Sequence, residues 1–143
     1  MPRITIDMPD DYPFSTRLDT RISDINYGQH VGHDTLISLL HEARFRYFKS
    51  LGLDEGNIDG VSVTMTDLAV LYRSQVFYGT RLDIALAAGD FNRYGCDFYY
   101  RVTRADDSGL VLEAKTGLVF FDYAAGKVVP IPRLFLALTG AET

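Results

Sequence analysis

The chain has one cysteine, no tryptophan and only five prolines in 143 residues. A lone thiol, Cys96, excludes an intrachain disulfide and any cysteine-based zinc site, and it suits a reducing compartment. Positive charge is also in short supply: 14 Lys+Arg face 19 Asp+Glu, a formal net charge of −5. Nonspecific nucleic-acid binding needs a concentrated basic surface to neutralise phosphates, so no nucleic-acid partner is expected. No run reaches the ~20 apolar residues of a membrane helix. The segment Met1 to Asp11 mixes Pro, Arg and Asp with isolated apolar residues and lacks the apolar core of a signal peptide. These absences lead to the expectation of a cytoplasmic protein with no membrane association. Neither a G-x-G-x-x-G nor a G-x-x-x-x-G-K-[ST] loop occurs. His30, His33 and His41, with Asp34 nearby, form no compact three-ligand set, so no metal and no separate cofactor is expected.

What is present describes one globular domain. Hydrophobic residues make up 47% and charged residues 23%, a balance that sustains a packed core without a disulfide or metal. Residues 1–13, with Pro2, Pro9 and Pro13, read as a loose leader, and residues 14–143 as a single domain. The span Phe14 to Ile25 alternates Leu18, Thr20 and Ile22 with Arg17, Asp19, Arg21 and Ser23, the period of a strand. Asp24 to Gly32 is a polar, glycine-punctuated turn. From Asp34 to Leu51 the spacing becomes helical: Leu36, Leu40, Ala43, Tyr47 and Leu51 lie on one face, widened by Ile37, Leu39 and Phe48. Asp34 or His33 is placed to cap its start, and Gly52 to stop it. The apolar arc is too wide for a helix with one dry face, so a sheet is expected to wrap it. Strand patterns then follow at Val61–Val76, Leu82–Phe91, Cys96–Arg104, Leu110–Phe121 and Lys127–Ile131, separated by short turns that favour antiparallel pairing. A short helix is expected over Pro132–Leu138. The order predicts an α+β fold, one long helix packed in one curved antiparallel sheet.

Arg21-Ile22-Ser23-Asp24-Ile25-Asn26-Tyr27-Gly28-Gln29-His30-Val31, followed by a helix carrying Glu42-Ala43-Arg44, resembles the hotdog-fold acyl-CoA thioesterases. The branch it is most similar to is the 4-hydroxybenzoyl-CoA thioesterase-like one, with its Asp-x-Asp, Gly and His-Val, then Glu-Ala-Arg on the central helix. Phe121-Asp122-Tyr123 to Gly126-Lys127-Val128-Val129-Pro130-Ile131-Pro132 resembles that family's last strand and Pro-ending tail. The resemblance covers Phe14 to Leu138. It implies hydrolysis of an acyl- or aroyl-CoA to the free acid and CoA without metal, at a site between subunits of a homodimer or homotetramer. CoA then enters as part of the substrate.

One position departs from the family. Asn26 stands where the second, catalytic acid of Asp-x-Asp is expected, and an amide has neither the charge nor the pKa of a nucleophile or general base. The carboxylate must come from elsewhere, and Asp24, Asp34 and Glu42 are the candidates. Each also has a structural reading: Asp24 tying down its turn, Asp34 capping the helix and facing away from the site, Glu42 pairing with Arg46 at i,i+4. Asn26 is left to orient a water or donate to the thioester carbonyl, or else to shape the turn. His30 and His33 bracket the helix start and either suits a general base near neutral pH. The unpaired amides of Gly32, His33 and Asp34 suit the thioester oxyanion, at the helix end where the resemblance puts the carbonyl.

For the nucleotide end of CoA, position in the matching strand pair favours Arg93, Tyr94 and Gly95, then Arg104. Leu68, Val70 and Tyr72 of the strand after the helix are expected to line the acyl slot, and Cys96 to be a small buried hydrophobe. Replacement of the expected acid by Asn26 also leaves open a non-hydrolytic acyl-thioester-binding protein. A purely structural dimerisation module gives no reason for the cluster from His30 to Asp34.

Overall fold

The computed structural model describes residues 4–141. Six strands and two helices follow in the order β1 Phe14–Asp19, α1 His33–Ser50, β2 Ser62–Tyr72, β3 Arg81–Gly89, β4 Gly95–Arg104, β5 Leu110–Asp122, β6 Lys127–Val129 and α2 Arg133–Thr139. The strands form one antiparallel sheet in the order β1-β3-β4-β5-β2, with β6 added to β5. The expected α+β architecture, a long helix against a curved sheet, is the one observed.

The sheet wraps α1 because both carry a continuous apolar face. Leu36, Leu39, Leu40, Ala43, Tyr47 and Phe48 are the buried residues of the helix. Opposite them, alternate residues of β3, β4 and β5 turn inward: Leu82, Ile84 and Leu86; Phe98, Tyr100 and Val102; Leu112, Ala114, Leu118 and Phe120. This is the period-two pattern of strands with one face dry. Phe48 is fully buried, with its ring centroid 5.7 Å from Phe98 and 5.9 Å from Phe135 of α2. The helix ends in a Schellman turn: Gly52, at φ 76°, donates to the Lys49 carbonyl and Leu53 to that of Phe48.

Four strands stop short of the sequence reading, one of them β3, which ends at Gly89 and not Phe91. The strand expected over Phe14–Ile25 stops at Asp19, and Ile22–Asp24 is a 3-10 turn. Thr20 leaves the ladder to bond the carbonyls of Thr80 and Phe77. Asp24 then accepts the Arg21 backbone N–H at 2.8 Å, which closes the turn. The strand expected over Val61–Val76 ends at Tyr72, since Arg73 and Ser74 both donate to the Val111 carbonyl. The last strand stops at Val129 because Pro130 cannot extend the ladder. The described part of the expected leader, residues 4–13, has no regular structure. Its Ile4, Ile6 and Asp7 line a cavity with Ala69, Tyr99 and Lys115 on the sheet face away from α1.

Candidate active site

The site is built where the turn after β1 enters α1. Asn26 and His30 close that turn, the Asn26 amide donating to the His30 carbonyl at 2.9 Å. The Asn26 side chain accepts the Gly28 N–H through Oδ1 at 2.9 Å. This Asx turn fixes which way the amide faces, so that Nδ2 is directed toward Gly32. His30 accompanies it: Nδ1 lies 3.1 Å from the Val31 carbonyl, and Nε2 lies over Gly28 beside Asn26 Oδ1.

Gly32 is the N-cap of α1. The two residues expected to cap, His33 and Asp34, instead occupy the first two helical positions. A glycine cap offers no side-chain acceptor, so the first-turn amides keep their outward-facing donors and the positive end of the helix dipole. A Cβ built on Gly32 would lie 2.7 Å from Asp34 Oδ1, 3.6 Å from Thr35 Oγ1 and 3.7 Å from Asn26 Nδ2. A carboxylate, a hydroxyl and an amide therefore converge over the bare Cα. The expectation that Asp34 faces away is overturned: its side chain bends back over the helix end. Placement of an acidic side chain at this end is what the dipole favours.

Tyr72, at the end of β2, covers the same helix end. Its ring centroid is 4.4 Å from that of His33, and its hydroxyl donates to the His33 carbonyl at 3.2 Å. Burial, together with the negative charge of Asp34, holds the Tyr72 phenol above its ordinary pKa. Tyr72 was expected only as apolar lining; its polar end, its ring on His33 and its nearness to Asp34 make it part of the site wall.

Two carboxylates put forward from the sequence stand elsewhere. Asp24 is buried, and both its oxygens serve Arg21, the backbone N–H at 2.8 Å and the guanidinium at 3.3 Å. Because Ile22–Asp24 is a 3-10 turn, strand alternation does not bring Asp24 to the face of Asn26. Glu42 accepts from Arg46 Nε at 2.8 Å, the i,i+4 pair, and lies roughly 12 Å along the helix from Asp34. The structure thus gathers Asn26, His30, Gly32 and His33, adds Asp34, and places Asp24 and Glu42, each paired with an arginine, on another cavity that they line with Thr35 and Ser38.

The residues chosen for the nucleotide are divided. Gly95 is buried, and a Cβ there would collide with the Leu118 carbonyl, so the close approach of β4 to β5 requires a glycine here. Arg104 spends its guanidinium on Asp107, at 3.1 Å, and on Ser74 Oγ, at 2.9 Å. Arg93 and Tyr94 are exposed, with the guanidinium carbon 5.4 Å from the Tyr94 ring centroid. They sit at the opposite end of β4 from Arg104, roughly 30 Å away for a ten-residue strand. The Arg104 end is the end of the α1 start, since Arg104 reaches Ser74 and Tyr72 reaches His33. Within one chain Arg93 and Arg104 cannot hold the same nucleotide. Arg73 borders the small cavity formed with His30, His33 and Tyr72 and is paired with Glu113 at 3.1 Å. Its place after the last residue of a strand was the signal that could have found it.

Cys96 is buried as expected, and burial pushes its thiol up to about 12. No described helix is long and apolar enough to cross a membrane.

The family model of the thioesterase-like superfamily matches residues 20–138. No curated protein sequence matches the chain. Among solved structures, Slr0204, a 1,4-dihydroxy-2-naphthoyl-CoA thioesterase from Synechocystis, is 18% identical with a TM-score of 0.83, over 89% of this chain and 95% of that one. Protein AQ1494 from Aquifex aeolicus is 23% identical with a TM-score of 0.80, over 89% and 99%. The DHNA-CoA thioesterase from Staphylococcus aureus is 19% identical with a TM-score of 0.78, over 89% and 86%. At these identities the structural likeness speaks for the fold.

Proposed function

Since the chain belongs to the thioesterase-like superfamily and is a thioester hydrolase of the hotdog fold, we propose that it cleaves an acyl- or aroyl-CoA to the free acid and CoA without a metal, using Asp34 as its carboxylate. The observation that carries this reading is the convergence of Asp34 Oδ1 and Asn26 Nδ2 over the bare Cα of Gly32 at the start of α1. The thioester carbonyl lies against the first-turn amides, which are aimed at the charge that develops on its oxygen. Water attacks the carbonyl carbon while Asp34 takes its proton. The carbon–sulfur bond then breaks, and the proton passes from Asp34 to the departing thiolate. Asn26 donates from Nδ2 to the carbonyl oxygen or the attacking water, which requires no charge and so tolerates an amide where the family has an acid. The buried thiol of Cys96 suits a reducing cytoplasm.

The test is thiol release from short, long and aromatic acyl-CoAs. Asn26→Ala is expected to lower kcat by about ten- to a thousand-fold, the usual loss for one preorganised donor. Gly32→Ala forces Asp34 aside, since the new methyl meets its Oδ1 at 2.7 Å. With φ at −66° alanine is unstrained there, so kcat falls by about a hundred-fold while the melting temperature moves only a few degrees. If no ester turns over and CoA esters nevertheless raise the melting temperature, the protein is a binder and the hydrolytic reading is wrong.

The substrate's pantetheine arm reaches this site between two copies of the chain. Supporting this, among the described residues β2 pairs with β5 alone, leaving the other edge of its eleven residues unpaired, with Leu68 and Tyr72 exposed. Such an edge is a liability unless another strand covers it. Light scattering is expected to report a dimer or tetramer at all working concentrations; a stable monomer would sink the interfacial site.

A further inference from the structure

A second cavity, of about 510 Å³, lies along the seam between α1 and β2, within the range of pockets that enclose small ligands. It adjoins the helix start through a single stripe of side chains. His33, Ile37, His41 and Arg44 follow one another at i,i+4 and i,i+3 on one face of α1. Tyr72, Val70 and Leu68 take alternate, inward positions on β2, opposite Leu112, Ala114 and Thr116. The seam therefore runs from the His33–Tyr72 stack, past Ile37 and Leu68, to Arg44. The helix advances about 15 Å between Asp34 and Arg44.

The near part of this groove is apolar, and its far end is not. There Arg44, with only 12% of its side chain exposed, is held by Glu55 through Nε at 2.6 Å and donates to the Tyr100 hydroxyl at 3.5 Å. These two contacts leave further guanidinium N–H groups without a partner in the pair. Tyr100 accepts from Arg44 and so keeps its own O–H to give. Burial pushes that phenol up to about 12, so it remains a donor throughout the ordinary pH range. His41, with Nε2 3.6 Å from Glu55, lies at the rim. The one acidic side chain that lines this space is Asp67, which accepts the Gly117 N–H at 2.7 Å, and Glu55 behind it neutralises Arg44. With these two carboxylates against one guanidinium, a ligand carboxylate is repelled, whereas a neutral oxygen finds donors and no excess charge. A plain hydrocarbon end would leave those donors stripped of water and unpaired, which is costly.

We propose that the α1–β2 groove is the acyl subsite and that Arg44 and Tyr100 at its end select acyl groups whose distal end carries a neutral oxygen, a hydroxyl or ketone, over plain alkyl and dicarboxylic chains. The proposal rests on the thioesterase reading for its anchor at the helix start, but the end of the groove can be tested apart from turnover.

The experiment compares hexanoyl-, octanoyl- and decanoyl-CoA with their ω-hydroxy counterparts, and separately the matching free acids as thermal-shift ligands. The expected result is a kcat/KM at least about tenfold higher for the hydroxylated member of the best-fitting pair, the discrimination one hydrogen bond to a charged group supplies. In Tyr100→Phe, which keeps the Arg44–Glu55 pair, and in the double variant Arg44→Met/Glu55→Gln, which leaves no lone buried charge, this ratio shrinks toward one. Equal or better turnover of plain chains by the wild type overturns the proposal while leaving the hydrolase standing. Failure to turn over any ester defeats the hydrolase, and the free acids then decide: a larger thermal shift with hydroxylated acids, lost in both variants, upholds the subsite, and equal shifts overturn it.

Discussion

Replacing Asp34 by asparagine is expected to lower kcat by about a hundred- to ten-thousand-fold, the range that a positioned general base contributes, with no change in the circular dichroism spectrum. The side chain is exposed and sits at the second helical position, so the variant keeps the helix and loses only a favourable charge at its end, worth under about 1 kcal/mol. The contrast with the other two acids is what makes the result decisive. Glu42→Gln breaks an exposed pair with Arg46 and should leave thiol release near wild type. Asp24→Asn weakens the closure on Arg21, and its first effect is on the melting temperature. Thiol release surviving in Asp34→Asn but lost in Glu42→Gln would move the base two turns along the helix and undo the assignment.

The largest effect on stability is expected at Phe48. Its side chain is fully buried where α1, β4 and α2 meet, against Phe98, Phe135 and Tyr47. Truncation to alanine opens a cavity and costs about 3–5 kcal/mol, which for a domain of this size is a fall in melting temperature of roughly 10–20 °C. Phe48 lies fourteen residues beyond Asp34, roughly 21 Å along the helix, so below its transition the variant should hydrolyse as the wild type does. A loss of less than about 1 kcal/mol in a calorimetric or denaturant melt would mean that the end of α1 is not clamped between α2 and the sheet.

The elements were legible because burial imprints a period. Leu36 through Tyr47 repeats with the helix and Leu82 to Leu86 with the strand, and both sets are buried as those periods require. The end of β1 was not legible by period, since Ile22 continues the alternation into what is a 3-10 turn; Arg21 and Asp24, spaced as a cap and its third residue, carried the competing signal. The site was half legible. That Asn26, His30, Gly32 and His33 are neighbours is legible because the turn that gathers them is contiguous. The sequence does not separate Asp34 from Asp24 and Glu42, because the bend of a side chain at the second helical position follows from the missing Cβ of the neighbouring Gly32 and not from any spacing. The division of Arg93 from Arg104 was legible in principle: successive turns of a meander lie at opposite ends of the sheet, so a β3–β4 turn and a β4–β5 turn never share one ligand.

The strand order also bears on how the protein is made. The meander of β3, β4 and β5 is built from adjacent hairpins, but α1 and β2 precede it in the chain and both pack against it. On the ribosome the greasy face of α1 therefore emerges before β3, β4 and β5, and its cover is complete only once β5 has been synthesised, a wait of several seconds at about 5–20 residues per second. Over that interval the nascent chain is a natural client for chaperones. It is also chemically silent, because the helix end and the β2 wall that make up the site come together only when the last long strand arrives.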